Sequence, residues 1–227
     1  DYYASRGLGD VYKRQVMNLS EKQLKNIVVL VSGGGTNLQA LIDAQNNGQI
    51  IGGKISCVIS SNPNAYALTR AKENNIPSRT IPRKEFSDNK SYSEAILNAL
   101  DEEKADLVVL AGFMTILDEK VTKPYSYKII NVHPALIPSF CGEGFYGLHV
   151  HEAALNYGVK VSGATVHFVN EEADAGAIIL QKAVNVRYDD TPETLQKRIM
   201  QEAEWKILPK AVSLFCQDKI CLLYTSD

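Results

Sequence analysis

The stretch IVVLVSGGGTNLQ, residues 27–39, joins two kinds of chain without a linker. Ile27 to Val31 is short, wholly apolar and mostly β-branched, as a parallel strand covered on both faces requires. Three glycines leave that run, and Thr36 and Asn37 lead into residues whose apolar spacing is helical. Strand, glycine turn and helix in that order open a doubly wound α/β sheet.

The alternation continues outward. Apolar runs at 55–59, 107–110 and 128–132 are spaced a helix-length apart, with amphipathic segments at 38–45, 65–74 and 92–104 between them. After Asn131 the texture changes. Residues 161–169 and 178–186 read as longer strands separated only by NEEADAGA, a wide hairpin-like turn, so the mostly parallel sheet is expected to become mixed there. Thr191-Pro192-Glu193 starts a helix, with a capping hydroxyl, proline at the first helical position and a carboxylate near the positive helix end. That helix is expected to run to about residue 206, with Pro209 breaking or kinking it before a last short helix to Cys216.

Both ends read as foreign. Asp10 to Gln15 (DVYKRQ) is what GATGTGTATAAGAGACAG encodes, and the complementary strand, entered one base in, encodes CLLYTS, which is Cys221 to Ser226. Residues 1–16 and 221–227 are therefore expected to be translated adapter tails, leaving one domain over 17–220.

Composition narrows the partners. The chain has 227 residues, 45% apolar and 22% charged, with a formal net charge of −2 and no basic run, which argues against nucleic acid or an anionic membrane surface. Neither a secretory signal nor an apolar stretch near the roughly 20 residues needed to span a bilayer is visible, so a cytoplasmic protein with small-molecule substrates is expected. Cys57, Cys141 and Cys216 are scattered, and suggest neither a disulfide framework nor a zinc site. Cys141 has no cationic neighbour in sequence to activate it as a nucleophile.

Three clusters carry chemistry. In SGGGTNLQ, residues 32–39, glycines let backbone N–H groups approach a ligand at a positive helix end, which suits a phosphate. The spacing is not that of a dinucleotide fingerprint, and the P-loop lysine is missing, so a monophosphate fits better; a tight turn that binds nothing is the competing reading. In NVHPALIPSF, residues 131–140, Asn131 and His133 project to one side at a strand's carboxyl end, Pro134 keeps His133 out of any helix, and Pro138 stiffens the loop. A packed, hydrogen-bonded histidine is the competing reading unless an acid joins the pair. NEEADAG, residues 170–176, offers Asp174, directly before Ala-Gly at the mouth of the next strand.

SGGGTNLQ, VVLAGFMTIL at 108–117, NVHPALIP, GATVHFV at 163–169 with the acid loop after it, and EWKILP at 204–209 together resemble the phosphoribosylglycinamide formyltransferases, folate-dependent enzymes of purine synthesis, over residues 26–216. The resemblance implies a formyl transfer from 10-formyltetrahydrofolate to the primary amine of 5-phosphoribosylglycinamide, with no metal. It implies Asn131, His133 and Asp174 as the catalytic set, with Asp174 raising the His133 pKa, and Gly35, Thr36, Asn37 and Glu204 as the site for the phosphoribosyl acceptor. Met114, Thr115, Ile116 and Leu117, with Asn131, would hold the folate. A family arginine falls at Asn89, beside Lys90, which puts that folate contact in question. The loop at 140–148 is longer than in some relatives, and its glycines suggest mobility over the folate cleft. His149 and His151, two apart ahead of a helix, lack the usual spacing for a metal on a helix.

Methionyl-tRNA formyltransferase and formyltetrahydrofolate hydrolase share the same three residues, but the first is expected to carry a basic C-terminal domain and the second an N-terminal regulatory one. A non-catalytic sugar-phosphate binding module is the alternative from another class. The chain is expected to be a monomer or a homodimer.

Overall fold

The computed structural model describes residues 24–221. The first expected tail lies outside the described residues, and so does the second except for Cys221.

Seven strands, β1 (Lys25–Val31), β2 (Gly53–Ser60), β3 (Ser78–Thr80), β4 (Leu107–Leu110), β5 (Ile129–His133), β6 (Val161–Phe168) and β7 (Ile178–Asn185), form one sheet in the order β3-β2-β1-β4-β5-β6-β7. The first five pair in parallel, while β6 and β7 pair antiparallel, so the sheet is mixed where the sequence changes texture. Helices α1 (Thr36–Asn46), α2 (Tyr66–Glu73), α3 (Asn89–Glu102), α4 (Glu119–Thr122), α5 (Leu148–Tyr157), α6 (Pro192–Ile199) and α7 (Trp205–Cys216) complete the chain.

Alternating strand residues serve two cores. Ile27, Val29 and Val31 pack with Leu38 and Leu41 of α1 and Leu208 and Val212 of α7. Val28 and Leu30 pack on the other face with Tyr92, Ile96 and Leu100 of α3. Both faces of β1 are thus covered, which is why its sequence shows no polar alternation. β1 lies between β2 and β4, so the chain reverses direction across the sheet there. Open α/β sheets bind ligands in the crevice that this reversal leaves at the strands' carboxyl ends.

Two expectations need correction. Pro209 does not break the last helix, because it sits inside α7 and is buried. The irregularity lies upstream, as a π-helical turn at Met200–Glu204 that joins α6 to α7. Proline's ring collides with the carbonyl four residues before it, here that of Trp205, and the wide turn ends immediately before that residue. His149 and His151 do not precede a helix but lie within the first turn of α5.

Candidate active site

β5 presents Asn131 and His133 on one side and sends Ile130 and Val132 into the core on the other. His133 is only 4% exposed. The antiparallel β6 sets His167 opposite Asn131 and Thr165 opposite His133. Asp174 arrives from the connection between β6 and β7, in the left-handed backbone region (φ 56°). Gly176 allows that connection to pass close to the sheet, since a Cβ there would lie 1.8 Å from the Phe168 carbonyl oxygen.

The Asp174 carboxylate is the hub. Its Oδ2 lies 3.3 Å from His133 Nδ1, and its Oδ1 lies 3.5 Å from His167 Nε2 and 3.4 Å from Asn131 Nδ2. Asn131 Nδ2 is also 3.2 Å from His167 Nε2. The Phe140 carbonyl lies 2.8 Å from His133 Nε2, and the Phe168 carbonyl 2.8 Å from His167 Nδ1. A carbonyl can only accept, so both of those nitrogens carry hydrogen. His167 Nε2 lies between the Asn131 amide, from which it accepts as the neutral ring, and Asp174 Oδ1, to which it donates only when the ring is doubly protonated. His133 Nδ1 instead faces a second acceptor, so the geometry favours the doubly protonated ring while its burial opposes the charge.

Burial wins in the free protein. It pushes the His133 pKa below the ordinary histidine value, and the charge of Asp174 and the Phe140 carbonyl only partly offset it. Asp174 raises this pKa, as expected, but burial outweighs it. Burial alone would raise the Asp174 carboxyl, yet the hydrogen bond from His167, the charge of His133 and the Gly142 N–H, which donates to Oδ2 at 3.0 Å, together hold it below the usual carboxylate range.

His167, within GATVHFV, has no assigned role in the sequence pattern. Its signal was a polar residue inside an otherwise apolar strand, and only the β5–β6 register turns that signal into a neighbour of Asn131.

A second cluster forms at the glycine turn. Gly35 has φ 70°, and a Cβ there would fall 2.7 Å from Ala67 Cβ, so α2 packs directly on the turn. Gly33 and Gly34 face open space. Asn37, at the start of α1, donates through Nδ2 to Glu204 Oε2 at 2.7 Å. Glu204 ends the π-helical turn and is 5% exposed. Burial pushes its carboxyl up to about 7, against the opposing effect of the Asn37 hydrogen bond. Gly35, Thr36, Asn37 and Glu204 thus lie together. Ser32 ties this cluster to the end of β4, for its Oγ accepts from Met114 N at 3.0 Å.

The sequence signature of the formyl transferase family matches residues 25–212. The chain belongs to that family. It is 43% identical over 199 residues to the phosphoribosylglycinamide formyltransferase of Haemophilus influenzae, covering 88% of this chain and 91% of that one. The crystal structure of glycinamide ribonucleotide transformylase 1 from Symbiobacterium toebii superposes with a TM-score of 0.82 at 38% identity, over 88% of this chain and 91% of the other. That of phosphoribosylglycinamide formyltransferase from Anaplasma phagocytophilum gives 0.78 at 43% identity, over the same shares, 88% and 91%.

In this formyl transferase, the segment after β4 exposes large apolar side chains. Met114 and Ile116 are 61% and 62% exposed, while Leu117 is buried beneath them. Asn89 donates through Nδ2 to the Ile116 carbonyl at 2.9 Å, so it steadies the segment's backbone. The loop after Pro138 is pinned at its start by Phe140 and Gly142, which bond His133 and Asp174. Cys141 does not have the character of a nucleophile, since burial and the Asp174 charge both raise its pKa. His149 is exposed and meets Glu152, whereas His151 is fully buried, so the two do not converge. Among the described residues no group of three or more His, Cys, Asp or Glu could hold a metal. Nor is any described helix long and apolar enough to cross a membrane.

Proposed function

We propose that this formyl transferase moves the formyl group of 10-formyltetrahydrofolate onto the primary amine of 5-phosphoribosylglycinamide, using Asn131, His133 and Asp174. The observation that carries this reading is the convergence of Asn131 and His133 on the Asp174 carboxylate, in a sheet whose β4 ends in exposed apolar residues and whose β1 ends in a glycine turn. β1, β4 and β5 are neighbours, so folate over residues 114–117 and phosphate over residues 35–37 place the formyl group and the amine near β5.

The amine nitrogen bonds to the formyl carbon, and the bond from that carbon to the folate nitrogen breaks. The proton lost by the amine is gained by the leaving nitrogen. Asn131 meets the oxyanion that develops on the formyl oxygen, turning its Nδ2 from the long contact to Asp174, a kind of donation worth roughly 3–4 kcal/mol. His133 takes the amine's proton at Nδ1 as that negative charge appears, because a second anion beside Asp174 offsets the cost of burying an imidazolium, and it gives that proton up to the leaving folate nitrogen. Asp174 holds the ring in place and helps to relay the amine's proton. Glu204 meets the ribose, while Gly35, Thr36 and Asn37 meet the phosphate. The reading places a single domain over 17–220 in the cytoplasm, as a monomer or homodimer.

Absorbance at the release of tetrahydrofolate tests it. Wild-type turnover should require phosphoribosylglycinamide, and His133→Ala should lower kcat by about 100-fold or more. Full-rate transfer in that variant would contradict the mechanism, and turnover independent of the acceptor would mark hydrolysis instead.

A further inference from the structure

We infer that Arg70, on α2, is the cation that receives the acceptor's phosphate at the glycine turn and makes the site select a phosphorylated acceptor. This rests on the proposed function and adds to it a residue outside the glycine-turn motif. The turn lacks the lysine of a P-loop, and backbone N–H groups with a helix end supply only partial charges toward a dianion.

Arg70 supplies a full one. Its Nε donates to the Gly34 carbonyl at 2.9 Å and one Nη1 hydrogen to Gln39 Oε1 at 3.0 Å, which fixes the guanidinium to the turn. Gln39 is itself oriented by donating through Nε2 to Asp43 at 2.8 Å. Two of the five guanidinium hydrogens are thus engaged, and the others point to no protein acceptor among the described residues. Arg79 and Arg198 are held by carboxylates, but Arg70 has no such ion pair among the described residues. The Tyr66 ring lies 5.0 Å from the guanidinium carbon. A fork fixed in place with its charge unspent matches a phosphate's oxygens.

The surroundings also want a polar ligand. Arg70, Thr36, Gln39 and Trp205 line one cavity of about 300 Å³ along α1. Trp205 Nε1 is buried with no partner, and Asn37, itself 8% exposed, has an Oδ1 in the same condition. Trp205 lines the cavity and Asn37 follows Thr36, which lines it too, and a buried donor or acceptor left unsatisfied is costly unless a ligand or water meets it. A phosphoribosyl group offers oxygens to the first and hydroxyls to the second.

The test titrates inorganic phosphate into wild type, Arg70→Ala and Arg70→Lys by calorimetry, with the fluorescence of Trp205, the only tryptophan in the chain, as a second readout. Steady-state constants for phosphoribosylglycinamide and for its unphosphorylated riboside accompany it. Arg70→Ala should weaken inorganic phosphate and raise the acceptor KM by about ten- to a hundredfold, with kcat and the folate KM within about twofold. Arg70→Lys should recover part of the loss, because it keeps the charge while losing the bond to Gly34. The riboside should be indifferent to all three proteins. Unchanged phosphate binding in Arg70→Ala overturns the inference, as does a loss that is equal for Lys and Ala and extends to the riboside, which would make Arg70 only a tether for the turn. Arg70-dependent phosphate binding without formyl transfer would leave the site standing and remove the proposed activity.

Discussion

Asp174 sits where two opposing influences on one histidine can be separated. Burial lowers the His133 pKa, and the Asp174 charge raises it, less strongly. Asp174→Asn removes the raising influence and leaves the burial, so the His133 pKa should fall further; histidine NMR titrations of the two proteins measure the difference. The same change should lower kcat by about 100- to 10,000-fold, since the proton relay and the orientation of the ring are lost together. A His133 titration that does not move on this substitution would mean that the carboxylate does not sense the ring. Asn131 and His133 were legible in sequence because two residues along a strand is one full repeat, and Pro134 forbids the helical alternative. His167 was not, because its partner lies in another strand and only an antiparallel register discloses it. The sign of the His133 shift was not legible either, since it depends on enclosure by the loop and by β6.

Among elements, the contact between the glycine turn and α2 sets how the phosphate cradle is held. Gly35 combines a left-handed backbone with a near-contact on Ala67, where a Cβ would lie 2.7 Å from Ala67 Cβ and 2.9 Å from Ala67 Cα. Gly35→Ala should therefore cost at least about 1–2 kcal/mol of stability from the backbone alone and more from displacing α2. Urea unfolding measures it, with Gly33→Ala as the control. Gly33 meets nothing within 4 Å, so its substitution should change stability by less than about 0.5 kcal/mol. The strands around this turn were legible because burial on both faces leaves unbroken apolar runs. β3 was not, being three residues long with no buried side chain. The π-helical turn left no periodic signature, although Pro209 marked the region as irregular. Its effect falls on function, for Ala203 and Glu204 are both buried at that turn and Glu204 meets Asn37.

Across the whole molecule, two buried groups outside the Asn131, His133 and Asp174 set give folding a concealed pH dependence. His151 is fully enclosed, and burial, with a smaller contribution from the nearby His133 charge, pushes its pKa down to about 4 from 6.5. Between those values the unfolded chain binds a proton that the folded chain refuses, so stability is lost as pH falls from about 6.5 to about 4, by roughly 3 kcal/mol in all. Glu204 works in the opposite sense. Its carboxyl is raised from 4.5 to about 7, so the folded chain binds the extra proton, and stability is gained as pH falls from about 7 to about 4.5, again by roughly 3 kcal/mol. The lowered pKa of His133 adds to the loss from His151. The wild-type chain should accordingly change little in stability over this window, because the two large slopes oppose each other. Each single variant should unmask the other. Glu204→Gln removes the gain, so its unfolding free energy should fall steeply between pH 7 and pH 5, while His151→Leu removes the loss, so its stability should rise over the same interval. Denaturant unfolding of the three proteins at several pH values measures these slopes. Parallel curves for all of them would mean that neither group is buried in the charge state assigned to it.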